Sequence, residues 1–171
     1  MLAYLFWHSP AEAADAAPYE ALLTAFHARL REAPPPGFRA SAAFAVTTSW
    51  GGDGYEDWYL VDDWSALGVL NADAVDDVRG PEHDPVARLA AKGAGGVYEL
   101  RAGDLHVAAA GAAEWSAKPL GNPYGEFEAA LTEGRDPAEF ALWQRQLVLG
   151  PAPEYCVLSP GEQLSLVTFR A

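Results

Sequence analysis

From Leu2 to His8 the chain is apolar at odd and even positions alike: Leu2, Tyr4, Phe6 and His8 fall on one face of a strand, Ala3, Leu5 and Trp7 on the other. A strand with so little polar surface on either side belongs in the middle of a sheet. Ser9-Pro10 ends it. Pro18 suits the first turn of a helix. Tyr19, Leu22, Leu23, Phe26 and Leu30 then follow at i, i+3, i+4, i+7 and i+11, a helical stripe. His27, beside Phe26, is expected to reach the surface. The helix stops before Pro34-Pro35-Pro36-Gly37.

The period then changes from that of a helix to that of a strand. Phe38, Ala42, Phe44 and Val46 take one face, Arg39, Ser41 and Thr47 the other. Gly51-Gly52-Asp53-Gly54 predicts a hairpin turn, and Tyr55–Val61 the returning strand, with Trp58 and Leu60 opposed to Tyr55, Tyr59 and Val61. Asp62 or Asp63 caps a helix starting near Trp64, its carboxylate accepting first-turn N–H groups. A second helix is expected from His83-Asp84-Pro85, with Asp84 as cap and Val86, Leu89 and Ala90 buried, ending at Gly93. Gly95–Arg101 reads as the next strand.

The first 103 residues therefore give strand, helix, strand, strand, helix, strand: an α+β fold, a ferredoxin-like βαββαβ antiparallel sheet with helices on one face. Residues 104–171 echo this in outline as a C-terminal βαββ lobe packed on the first unit, one compact domain in all. Glu114–Pro119 is strand then proline, and Tyr124, Phe127 and Leu131 mark a short helix. Strands at Leu142–Leu149 and Tyr155–Leu158 flank a kink at Gly150-Pro151-Ala152-Pro153, and Leu164–Arg170 alternates as a last strand.

Composition narrows the function. The chain has 171 residues, half of them apolar and 20% charged, enough for a real core. A net charge of −13 disfavours nucleic acid and anionic membrane surfaces, both of which are held by Lys and Arg. Cys156 is the only cysteine, so no internal disulfide forms. The apolar run Leu2–Trp7 is too short for a signal core, and no stretch approaches the ~20 residues of a membrane span. These features predict a cytoplasmic protein.

The pattern LAYLFWHSP … YEALLTAFHARL … FRASAAFAV … YEDWYLVDDW … GGVYEL, spread over residues 1–103, resembles the dimeric α+β barrel superfamily in architecture and spacing. That superfamily includes cofactor-independent quinone-forming monooxygenases, haem-degrading monooxygenases, muconolactone isomerases and stress-responsive barrel proteins. The resemblance implies two sheets packed face to face around a small-molecule pocket, the second sheet coming from a homodimer partner or from a degenerate second lobe of the same chain. The ring-rich sheet fits: each buried aromatic removes ~150–250 Å² from water, so an open aromatic face is costly.

Several residues stand out as candidates. His8 ends the first strand beside Trp7, where an imidazole can move a proton or ligate haem iron. Tyr59, with Trp58 and Asp57, lies where cofactor-free monooxygenases of the family hold a phenolic substrate while a base ionises it. Asn71 is polar on the crossover helix. Arg145 beside Trp143, and Lys118 in WSAKP, are cations able to meet a carboxylate or enolate. His8, His27, His83 and His106 show no HxH or HxxxH spacing, and Glu82-His83-Asp84 reads as a helix cap, so no metal site is expected. Gly93–Gly96 lacks the GxGxxG spacing of a nucleotide loop, and Cys156 reads as an inert buried thiol. The resulting expectation is a barrel with a small-molecule pocket between sheets and no cofactor. It is either a binding or stress-related domain or a cofactor-independent monooxygenase or isomerase on an aromatic or lactone-like substrate. In the enzyme reading His8 is the base, with Arg145 or Tyr59 steering the anion. A haem-binding barrel with His8 or His106 as axial ligand is the further alternative.

Overall fold

The computed structural model describes residues 1–12, 14–74, 79–146, 150–161 and 165–170. Strand β1 (Leu2–Pro10) leads into α1 (Ala16–Glu32). The hairpin β2 (Phe38–Thr48) and β3 (Gly52–Val61) is followed by α2 (Trp64–Asp73) and α3 (Gly80–Leu89), then β4 (Ala90–Gly103). Strand β5 (Ala110–Ser116), α4 (Tyr124–Thr132), β6 (Ala141–Arg145), β7 (Tyr155–Pro160) and β8 (Ser165–Arg170) complete the chain. The architecture is α+β.

The eight strands of the described residues join one antiparallel sheet in the order β5-β7-β6-β4-β1-β3-β2-β8. The sheet curls. Ala110–Ala113 of the edge strand β5 line a small crevice with Phe44 and Val46 of β2, near the opposite edge. In a flat sheet these strands would stand far apart. The doubly apolar β1 lies inside the sheet, between β3 and β4.

Curling settles what covers each face. The concave face encloses Ala3, Leu5, Trp7, Phe44, Trp58 and Leu60 together with Tyr98, Trp143, Cys156 and Leu158 from the later strands. The two face-to-face sheets expected from the sequence are thus replaced by a single sheet packing against itself. On the convex face Leu2, Phe26, Leu30, Tyr59, Val61 and Leu70 form a second core with α1 and α2. Helix α4 covers β6 and β7 through Phe127 and Leu131.

Three local expectations change. A register shift between Phe38 and Ala40 turns Phe38 to the helix side, whereas Ala42, Phe44 and Val46 face the concave core. Helix α3 starts at Gly80, with Pro81 in its first turn and Pro85 inside it, so Asp84 is no cap and pairs with Arg88 at 3.4 Å. Gly93 lies within β4, opposite His8, and not at a helix end. A Cβ there would sit 2.7 Å from the Phe6 ring, which uses that space. Asp63 does cap α2, accepting from Ala66 N–H at 2.9 Å, while Asp62 pairs with Arg39 at 2.5 Å. Residues 147–149 of the predicted Leu142–Leu149 strand, and Leu164 of the last strand, lie outside the described residues.

Candidate functional site

Alternation on β1 and β3 brings the polar groups together. Tyr4, Phe6 and His8 project from one face of β1, and Asp57 and Tyr59 from the same face of β3. The register pairs His8 with Tyr55, Phe6 with Asp57 and Tyr4 with Tyr59. His8 and Asp57 are therefore diagonal cross-strand neighbours. Above them α1 presents Tyr19, Leu23, Phe26 and His27, at i, i+4, i+7 and i+8, all buried.

Asp57, 2% exposed, is the hub. Its Oδ2 lies 3.1 Å from His8 Nε2 and 3.7 Å from His27 Nε2, and it accepts the Tyr59 hydroxyl at 2.8 Å. On the far side of His8, Nδ1 meets the Tyr19 hydroxyl at 2.5 Å. On the far side of His27, Nδ1 meets Ser41 Oγ at 2.7 Å. Burial alone would push the Asp57 carboxyl up, but hydrogen bonds and charge from His27 and His8 outweigh it and hold the group well below the usual carboxylate range. The neighbouring phenols move the other way. Burial first, then the negative charge of Asp57, raises Tyr19, Tyr59 and Tyr4, so all three stay neutral.

This network opens on a cavity of about 700 Å³ between the convex face and helices α1, α2 and α3. That volume suits a multi-ring organic molecule. Its floor is a row of tilted, stacked rings: Tyr59 to Tyr4 at 6.1 Å, Tyr4 to Phe6 at 6.3 Å and Phe6 to His8 at 5.1 Å. Gly95 makes the row possible, since a Cβ there would stand 2.8 Å from the Tyr4 hydroxyl. Trp64, Gly68 and Asn71 line the α2 wall, His83 and Val86 the α3 wall. The hollow lies between sheet and helices, not between sheets.

Of the residues singled out in the sequence, the cavity brings together His8, Asp57, Tyr59 and Asn71. The three tryptophans fall elsewhere. Trp7 and Trp58 point into the concave core and donate their indole N–H groups to Glu56, each at 2.6 Å. Trp143, 1% exposed, packs edge-on against Trp58 at 5.6 Å. The concave crevice beside Trp58 is only about 70 Å³. Arg145 holds the loop after β6 through the carbonyls of Ala152 at 2.6 Å and Gly150 at 3.4 Å. Lys118 binds the carbonyls of Asn122 and Pro119 and lies over the Tyr124 ring. His106 Nδ1 accepts from Ala108 N–H at a 3-10 turn. Cys156 is buried, and burial pushes its thiol up.

His27 corrects the sequence expectation most sharply: it is wholly buried, stacked on Tyr59 at 5.2 Å and 7°. Its position four residues after Leu23 and eight after Tyr19 puts it on the buried stripe. Its polarity masked that spacing. Tyr19 and Ser41 were likewise hidden, one by its place among apolar stripe residues and the other by sharing a strand face with Arg39. Among the described residues no cluster of three or more His, Cys, Asp or Glu side chains is placed to hold a metal ion, and no helix is long and apolar enough to cross a membrane. No protein-family model matches the chain, and no curated protein matches it.

Proposed function

We propose that this chain is an α+β barrel protein that binds a small, largely apolar, ring-containing molecule in the convex-side cavity and performs proton chemistry on it. The carrying observation is the pairing of buried Asp57 with His8, 3.1 Å apart, where both line the aromatic cavity. An ionised carboxylate on one imidazole nitrogen orients the ring and stabilises the imidazolium formed when the other nitrogen takes a proton. Asp57–His8 is the base, Tyr59 fixes Asp57, and the ring floor holds a flat substrate.

The strand order β4-β1-β3-β2 over residues 1–103, with α1 between β1 and β2, supports the ferredoxin-like reading and the kinship with dimeric α+β barrels. Within that kinship the geometry favours a cofactor-independent monooxygenase or isomerase acting on a phenolic or enolisable substrate over a purely binding, stress-related domain. Coverage of the concave face by the chain's own later strands favours an internally completed barrel over a homodimer. For the haem alternative His8 is poorly placed, because it is 5% exposed, with Nδ1 on the Tyr19 hydroxyl and Nε2 facing the Asp57 carboxylate.

The test is calorimetric titration with 2-naphthol, followed by oxygen-electrode and product assays with an anthrone-like and a quinol substrate. Saturable binding, with turnover lost in His8→Asn, is expected. Absence of binding, or turnover unchanged in His8→Asn, overturns the proposal. A Soret shift with haemin that disappears in His8→Asn favours the haem reading instead.

A further inference from the structure

We infer that the Tyr4 hydroxyl selects the bound molecule, by hydrogen-bonding one neutral carbonyl or hydroxyl oxygen on an otherwise apolar ring system. This rests on the cavity reading above. It adds the polar group that the ligand must carry and the residue that meets it.

Among the described residues three tyrosines line the cavity, Tyr4, Tyr19 and Tyr59, and their hydroxyls differ in what they touch. Tyr19 is wholly buried and meets His8, and Tyr59 is buried and donates to Asp57. Both of those hydroxyls are spent inside the protein. Tyr4 is half-buried. Among the described residues its hydroxyl makes no hydrogen bond, yet it is not one of the enclosed polar atoms left without a partner. A phenol has one proton to donate and two lone pairs to offer, and this one is open to a ligand.

The fold fixes where that hydroxyl stands. The β1–β4 register sets Tyr4 opposite Val97 and Phe6 opposite Gly95, and the Tyr4 ring leans diagonally toward Gly95. A Cβ on Gly95 would lie 2.8 Å from the hydroxyl oxygen and 2.9 Å from the ring edge, so the missing side chain is what gives the ring tip its place. Phe6 and Tyr59 flank the ring at 6.3 and 6.1 Å, with planes within 23° of its own. These neighbours restrict its swing, so the hydroxyl is ordered before a ligand arrives.

The surroundings set the chemistry of the match. Burial, then the charge of Asp57, makes the Tyr4 phenol harder to ionise, so it keeps its O–H. The same negative charge opposes an anion placed beside it, and among the described residues lining the cavity there is no Lys or Arg to hold one. A neutral oxygen is what remains. Two other polar side chains line the walls, Asn71 and His83. Asn71 is exposed, and the His83 side chain is 29% exposed with Nδ1 3.4 Å from Asp84. Bulk water serves them as well as a ligand does, so they add little selectivity. Tyr4 differs because a ligand lying on the ring floor strips its water. A molecule with no oxygen at that point leaves the hydroxyl unpaired, and that penalty discriminates.

The test is equilibrium dialysis of the wild-type, Tyr4→Phe and Asn71→Ala chains at neutral pH against 2-naphthol and naphthalene, the same rings with and without a hydroxyl. Tyr4→Phe is expected to bind 2-naphthol about fivefold more weakly than wild type and naphthalene at least as tightly. Its urea midpoint should be unchanged, because the hydroxyl has no protein partner to lose. Equal weakening of both probes means a reshaped floor and overturns the inference, as does unchanged 2-naphthol binding. A loss of 2-naphthol confined to Asn71→Ala places the oxygen on the α2 wall and also overturns it. Tighter binding of 2-naphthoate than of 2-naphthol by wild type overturns the neutral-oxygen class. If Tyr4→Phe does not fold, the hydroxyl serves the fold and the inference fails. Absence of binding of either probe to wild type defeats the cavity reading itself, an outcome distinct from failure of Tyr4.

Discussion

Glu56 and Asp57 stand side by side on β3 and bury their carboxylates on opposite faces of one sheet, 3% and 2% exposed. Glu56 enters the concave core and accepts two indole N–H groups, from Trp7 and Trp58. Asp57 enters the convex network and meets two imidazoles and a phenol. Neutral donors do not fully offset the desolvation of Glu56, so burial raises its carboxyl despite the Trp58 and Trp7 hydrogen bonds. For Asp57, partners that can carry charge reverse the sign.

For Asp57 the folded pKa lies below the unfolded value of about 3.9. Its contribution to stability is therefore complete above that value and is lost as pH falls through the folded pKa. Asp57→Asn should cost about 3 kcal/mol at neutral pH, because Tyr59 loses its charged acceptor and His8 and His27 lose the carboxylate beside them. The gap between wild type and mutant, measured from urea midpoints, should narrow from about pH 4 downward. A gap independent of pH would contradict the assignment.

For Glu56 the sign is opposite. A folded pKa above the unfolded value of about 4.3 means the folded chain holds that proton more tightly. Its stability contribution is full below that value and is lost as pH rises through the folded pKa. Relative to Glu56→Gln, wild type should gain stability on acidification from neutral pH toward 4.5. Parallel urea titrations of the two proteins measure it.

Arg145 separates scaffold from site. Its guanidinium bonds the Ala152 and Gly150 carbonyls, and it does not line the cavity. Arg145→Met should cost about 1–2 kcal/mol through those half-buried bonds and leave 2-naphthol affinity unchanged. Loss of affinity without loss of stability would restore Arg145 as a ligand group.

What was legible in the sequence was whatever repeats. Alternation put Leu2–His8 of β1 and Tyr55 and Trp58–Val61 of β3 on their correct faces, and the α1 stripe placed Tyr19, Phe26 and Leu30. What escaped depended on depth or on distant pairing. His27 obeys the helical period but is polar, so periodicity read through apolar residues passes over it. Glu56 is buried by indoles 49 residues back and two ahead, which no local window reveals. The tryptophans were drawn toward a ligand pocket because aromatic density marks burial without saying which buried face stays hollow. The curl of the sheet decides that, by filling one face with β6 and β7 and leaving the other to the helices.

Gly68 at the cavity and Gly95 beside Tyr4 should respond to alanine in opposite ways. Gly68 lies on α2, lines the cavity, and a Cβ added there meets nothing within 4 Å. Its backbone is not among the positive-φ glycines. Gly68→Ala should therefore stabilise by about 0.5–1 kcal/mol, since alanine loses less freedom on entering a helix. Gly95 is hemmed in: its Cβ would lie 2.8 Å from the Tyr4 hydroxyl and 3.1 Å from the Leu5 carbonyl oxygen, which cannot swing away. Gly95→Ala should cost about 1–3 kcal/mol as β4 and the Tyr4 ring yield. Enlarging the tolerant site tests the cavity itself. Gly68→Phe projects a ring into that open space and should keep wild-type thermal stability while weakening 2-naphthol binding about tenfold or more. If Gly68→Phe binds as wild type does, the ligand does not occupy the space between α2 and the β1–β3 face.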